Sequence, residues 1–296
     1  MSTPELKDWQ LEFGGVVLGH GTRVPVAEVE GLGRPAVRGE PVPRPGADGA
    51  WPSPDFYEPR TVRIDCAVKT PGAPAAARQL VADLQRAADE PRLRLSGGTV
   101  MPLRLKWPGS PVRVLFGRLT KVDPTWADAA HGWIPLDVEF LATDPRYYAD
   151  IEQQATLRLG WLSGGGFTAP VQAPIKVTNG TATGQHRPGW VTNNGDRDAP
   201  PVLTVYGPCA NPAITHVESG RTLRLPVVLA AGQWVRVDTR PGQAMAVRDN
   251  GGIVAVPDRL DTFTLPPGRS EIRWTAADPT ATARLTVAWR DAFTAL

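Results

Sequence analysis

Apolar and polar residues alternate with a period of two along most of this chain. In Thr61–Lys69, Val62, Ile64, Cys66 and Val68 alternate with Arg63, Asp65, Ala67 and Lys69. Successive side chains of a strand point to opposite faces, so the pattern predicts a strand with one apolar and one wetted face. Leu103, Leu105 and Trp107 alternate in the same way, and a Pro108-Gly109 turn leads into Val112, Val114 and Phe116. After a loop over 123–132, Ile134, Leu136, Val138 and Phe140 alternate with Pro135, Asp137 and Glu139. Upstream, short apolar stretches in Leu11–Val29, broken by glycines, predict one or two short strands.

A single segment departs from this period. Ala77, Leu80, Val81, Leu84 and Ala88 fall on one helical stripe, which predicts a helix over about 74–90. Pro71 and Pro74 suit its first turn, and Pro91 stops it. Residues 1–152 therefore read as a β-sheet or split barrel carrying one α-helix. Gly164-Gly165-Gly166 and the stretch Pro170–Pro174 mark a connection over 153–173. Beyond it there is no helix pattern. Strand candidates recur at Ile175–Thr178, Val202–Tyr206, Leu223–Leu229, Trp234–Asp238, Ala244–Arg248, Phe263–Leu265, Glu271–Trp274 and Leu285–Trp289. Turns such as Asn179-Gly180, Asn194-Gly195 and Pro267-Gly268 separate them, so 174–296 reads as an antiparallel β-sandwich. The last strand belongs either to that sandwich or back in the first domain.

Composition sharpens this picture. The 31 prolines and 30 glycines in 296 residues suit many short strands and turns. The net charge is +2, from 32 basic and 30 acidic residues spread along the chain, which argues against sequence-specific or electrostatic nucleic-acid binding. No apolar run approaches the roughly 20 residues that cross a bilayer, so membrane insertion is not expected. Glu5, Lys7 and Asp8 leave the N-terminus without the apolar centre of a signal peptide, and synthesis in the cytoplasm is the expectation. Cys66 and Cys209, far apart in sequence, read as inert reduced thiols.

The search for chemistry returns little. Gly31-Leu32-Gly33-Arg34-Pro35-Ala36 has the letters of a dinucleotide fingerprint, but prolines follow and no helix opens. His20, His131, His186 and His216 lack metal-ligand spacing, and Asp249, Asp258 and Asp261 read as turn and strand-edge residues. No nucleophile is set beside a base. The expectation is no enzyme, no metal and no cofactor. Among ten tryptophans, Trp274 and Trp289 suit core packing. Trp51, Trp126, Trp133 and Trp190 lie in loop-like regions, where an interface and sugar stacking compete. Gly31–Pro59, with its Asp48-Gly49 turn, reads as a long, mostly irregular excursion that is functional or orders against a partner.

An ordered series of short motifs then points to a family. It runs Asn193-Asn194-Gly195-Asp196, Pro200-Pro201-Val202-Leu203-Thr204-Val205-Tyr206-Gly207-Pro208, Asn211-Pro212-Ala213-Ile214 and Ala231-Gly232-Gln233-Trp234-Val235-Arg236-Val237-Asp238. Leu265-Pro266-Pro267-Gly268-Arg269 and a closing Val287-Ala288-Trp289-Arg290-Asp291 complete it. In the first half, the excursion ends at Arg60 before a strand, and Phe140-Leu141-Ala142-Thr143-Asp144-Pro145-Arg146-Tyr147-Tyr148 closes the domain. This order resembles the distal tail proteins of long-tailed, non-contractile phages. The resemblance implies a structural baseplate protein at the virion tail tip. Its N-terminal domain would form a ring of itself, usually a homohexamer, between the tail tube and the hub and fibre proteins, with DNA passing through. The C-terminal sandwich would be galectin-like and project outward. The excursion would be the assembly arm, with Arg34, Arg38, Arg44, Trp51, Phe56 and Tyr57 as contacts. The alternative is a carbohydrate-binding adsorption module stacking host glycans on Trp190 and Trp234.

Overall fold

The computed structural model describes residues 4–95, 99–159, 189–278, 280 and 282–296. The expected strand Ile175–Thr178, the Asn179-Gly180 turn, His186 and most of the expected connection lie outside the described residues. The chain divides into two compact units, Met1–Asp150 with Phe293–Leu296, and Ile151–Ala292.

In the first unit, β1 (Gln10–Phe13), β2 (Val16–Gly19) and β3 (Val26–Glu30) precede the excursion. The excursion carries β4 (Val37–Arg38), β5 (Val42–Pro43), β6 (Ala50–Trp51) and β7 (Phe56–Tyr57). There follow β8 (Arg60–Lys69), α1 (Pro74–Ala88), one further turn α2 (Pro91–Leu95), β9 (Met101–Lys106), β10 (Arg113–Pro124), β11 (Trp133–Ala142) and β12 (Tyr147–Ala149). The sheet runs in the order β2-β1-β9-β10-β11-β8-β3, antiparallel throughout. Strand β10 is its axis: Arg113–Gly117 pairs with β9, and Gly117–Pro124 with β11. A Cβ on Gly117 would lie 2.0 Å from the Leu141 carbonyl oxygen, so only glycine admits this crossing.

The alternation in β8 and β11 drives Val62, Ile64, Val68, Ile134, Leu136, Val138 and Phe140 into the core. Ala77, Val81 and Leu84 of α1 close the same core from outside, each fully buried. Side chains of valine or leucine size contribute about 1.5–3 kcal/mol each on such burial. A polar knot ties the start of the chain to the end of the unit. The buried Arg104 donates to both Asp150 oxygens at 2.8 and 2.5 Å and to the Pro4 carbonyl at 2.8 Å.

The second unit holds β13 (Gln153–Arg158), β14 (Gly189–Asn193), β15 (Val202–Tyr206), β16 (Cys209–His216), β17 (Arg221–Arg224), β18 (Val228–Leu229), β19 (Trp234–Asp238), β20 (Met245–Arg248), β21 (Gly268–Ala277) and β22 (Arg284–Trp289). Two antiparallel sheets form, β13-β22-β15-β19-β20 and β14-β21-β16-β17, with β18 on β16. Three readings need correction. Gln153–Arg158, assigned above to the connection, is a strand paired along its whole length with β22. The segment Leu223–Leu229 is two strands, because Pro226 interrupts the ladder. Phe263–Leu265 is not a strand; Leu265 makes only an isolated bridge to Ala199. The final strand β23 (Ala292–Phe293) carries the chain back, and Phe293 lies under the Arg113 guanidinium in the first unit.

Candidate assembly surface

The excursion is not irregular but a two-stage ribbon. Strand β4 pairs with β7, placing Val37 opposite Tyr57 and Arg38 opposite Phe56. Farther out β5 pairs with β6, placing Val42 opposite Trp51. Pro41, Pro52 and Pro54 cannot donate ladder hydrogen bonds, so pairing stops between the stages. Every residue from Ala36 to Pro52 is exposed, on both faces of the ribbon. Trp51 is 51% exposed and Phe56 60%. The six sequence-derived arm residues fall into two groups. Arg34, Arg38, Phe56 and Tyr57 share the inner stage, where the Arg34 guanidinium sits 5.8 Å from the Tyr57 ring. Arg44 and Trp51 share the outer one, closed by the Arg44 N–H donating to the Gly49 carbonyl at 3.1 Å.

The ribbon lengthens the hairpin between β3 and β8, and its root is held from inside. Arg60 is 3% exposed, and no carboxylate among the described residues pairs with it. Its Nη1 donates to the Gly31 carbonyl at 2.9 Å and also to the Gly33 carbonyl. Nη2 and Nε reach the Pro145 carbonyl at 3.2 and 3.4 Å. The Tyr147 ring lies 4.7 Å from this guanidinium, and its hydroxyl donates to the Leu32 carbonyl at 2.7 Å. Burial lowers the pKa of Arg60 and raises that of Tyr147. The glycine motif that mimics a nucleotide fingerprint thus presents carbonyls to a buried cation. Sequence reasoning missed this root, because main-chain acceptors leave no residue-type signal.

The wetted face of the same sheet carries two neighbouring rows rich in carboxylates. Register places Glu28, Asp65, Asp137 and Asp123 in one row across β3, β8, β11 and β10. The neighbouring row is Glu30, Arg63, Glu139 and Lys121. Arg63 meets Glu139 at 3.3 Å, and Lys121 pairs with Asp137. Carboxylates directly opposite one another repel. Two cations among six carboxylates leave these two rows net negative.

The two tryptophans named for glycan stacking lie apart in the fold of the second unit. Trp190 lies in β14 and Trp234 in β19, on the solvent sides of different sheets. The Arg269 guanidinium already covers the Trp190 ring at 4.0 Å. Asp258 is held by Arg224 and Asp261 by Arg259. Both cysteines are buried and free; burial, aided by Asp65, pushes the Cys66 thiol up to about 12. A pair that sequence reasoning did not assemble is the exposed Trp9 and the half-buried Trp107, with ring centroids 5.9 Å apart.

No family model matches the chain, and no curated protein matches it by sequence. Among solved structures it is similar to the Dit protein of phage SPP1, described as a paradigm of the hub adsorption apparatus in phages infecting Gram-positive bacteria. The TM-score is 0.56 at 16% identity, covering 97% of this chain and 100% of that one. It is also similar to a chain of the phage P2 baseplate in its activated conformation with calcium, with a TM-score of 0.56 at 10% identity, covering 94% and 96%. The same baseplate with strontium gives a TM-score of 0.53 at 10% identity, again covering 94% and 96%. The chain therefore shares, over nearly its whole length, the mainly β fold of these phage tail components.

Proposed function

We propose that this chain is a structural subunit of a phage tail tip. Copies assemble as a ring, usually of six, that joins the tail tube to the hub and fibre proteins and leaves a passage for DNA. The observation that carries this reading is the ribbon Ala36–Pro52, which has no buried residue on either face yet presents Trp51 and sits beside Phe56 and Tyr57. A two-stranded ribbon without a packed face is marginal alone. Its exposed aromatics are the residue types that dominate interface energetics. Covering the exposed parts of Val37, Val42, Trp51, Phe56 and Tyr57 removes roughly 400 Å² of apolar surface from water. At about 25 cal/mol per Å² that contributes on the order of 10 kcal/mol before the cost of association.

The acidic rows supply the second support. A DNA channel needs a wall that does not grip phosphate, and aligned carboxylates repel a polyanion. The face formed by β3, β8 and β11 is the one we assign to that wall. In this reading the chain performs no chemistry of its own. Negative-stain microscopy of the purified chain, with gold labelling of virions that carry it, tests the proposal. Rings and label at the distal tail tip are expected. A monomer at every concentration, with label absent from the tip, refutes it.

A further inference from the structure

We propose that Arg60 and Tyr147 are positioning residues for assembly: together they clamp three consecutive carbonyls at the ribbon root and set the ribbon's direction before any partner is met. The inference rests on the reading that the ribbon contacts a neighbouring copy. It begins from an energetic oddity. Burying a guanidinium without a carboxylate is unfavourable, and an apolar side chain of similar volume commonly packs as well or better. What an apolar side chain cannot do is bridge. Arg60 belongs to the returning leg of the hairpin, and through its fork it holds Gly31 and Gly33 of the outgoing leg and Pro145 of the loop before β12. Tyr147 takes the remaining carbonyl, Leu32, from beneath. All three carbonyls of Gly31-Leu32-Gly33 are thereby tied to the sheet.

The backbone agrees with a clamp. Gly31 has φ +82°, and a Cβ there would lie 2.0 Å from the Thr61 carbonyl oxygen, so the two legs pass at contact distance. Gly33 has open space around its Cβ position, so its contribution is the carbonyl alone. Outward of the root, the next ladder contact is the Glu58 N–H to the Ala36 carbonyl at 2.8 Å, and from there the ribbon has no support from the core. A ribbon that leaves a rigid root in one direction loses less conformational entropy on docking than one hinged at its base. The clamp raises assembly affinity without touching the partner.

The test uses the full chain with a spin label at Ala47→Cys and a second on the sheet at Thr61→Cys, the two native thiols being buried. Variants are Tyr147→Phe, which deletes one hydrogen bond, and Arg60→Lys, which keeps the charge but cannot fork. Should Arg60→Lys fail to fold, Tyr147→Phe alone decides. A chain lacking Pro41–Trp51 controls for the underlying reading. We expect unchanged circular dichroism, a broadened label-to-label distance distribution, and an assembly midpoint raised at least tenfold in concentration. An unchanged distribution overturns the inference. A broadened distribution with unchanged assembly, while the Pro41–Trp51 deletion abolishes rings, overturns the inference and leaves the ring reading intact. Rings that persist after the deletion overturn the inference together with its premise that the ribbon contacts a neighbouring copy, and leave ring formation itself standing.

Discussion

Replacing Trp51 with alanine separates an interface residue from a solvated one. The side chain is 51% exposed in the isolated chain. An aromatic of this size carries about 250 Å², so a partner covering the exposed half removes roughly 125 Å² from water. At about 25 cal/mol per Å² the loss on truncation is about 3 kcal/mol per interface, close to a hundredfold in dissociation constant. Phe56→Ala, 60% exposed, is expected to cost a similar amount. The double variant need not sum the two, because neighbouring hot-spot residues couple. Neither change touches the core, so thermal unfolding of the monomer stays within about 0.5 kcal/mol of the parent. Sedimentation velocity over a concentration series reads the assembly, and calorimetry reads the fold. If both variants fold and form rings at parental concentrations, the aromatics of the ribbon face water in the assembly and the interface lies elsewhere.

Gly117→Ala forces a Cβ to 2.0 Å from the Leu141 oxygen and is expected to part β10 from β11, lowering the melting temperature by several degrees or blocking soluble expression. Asp150→Ala strips the buried Arg104 of its forked partner, leaving Glu12 at 3.5 Å, and should cost about 3–5 kcal/mol in chemical denaturation of the first unit. His216 is buried, accepts the Ser219 N–H on Nδ1 at 3.1 Å, and has Glu218 at 3.7 Å from Nε2. Burial holds its pKa below 6.5, against the upward pull of Glu218 and Asp198 and with the downward push of Arg221. The unfolded chain therefore takes the proton first. Stability is complete above about pH 6.5 and declines as pH falls through that value, levelling once the folded imidazole is protonated as well. Melting curves from pH 7.5 to 5 should show that slope, and His216→Gln should flatten it. Trp190→Ala and Trp234→Ala are expected to leave a glycan array unchanged; binding abolished by either one would support the sugar-stacking reading instead.

The elements legible in the sequence were those with one wet and one dry face. Strands β8 and β11 and helix α1 bury one stripe each, and the period of their apolar residues reports it. Strand β16 was hidden by Asn211-Pro212, which break the pattern of a central strand. The fold accommodates them with a register shift between Ala210 and Ala213 and with Asn211 at φ +48°. Strand β13 is a sheet edge with a half-wet inner row, too polar to stand out. The ribbon was legible as an excursion but not as paired strands, since alternation marks a strand only where a face is buried. The acidic rows needed the register as well: Glu28, Asp65, Asp123 and Asp137 are dispersed in sequence and align only once four strands are in place.

The return of Phe293–Leu296 to the first unit makes the sandwich a guest within its host. The chain departs after β12 and comes home in β23, and these two strands pair with each other. Departure and arrival points are therefore neighbours, the arrangement in which whole modules are most readily exchanged. Splicing a tight turn between Asp150 and Phe293 should leave the host able to fold, and other guests could be seated at the same junction without redesigning the ribbon or the acidic wall.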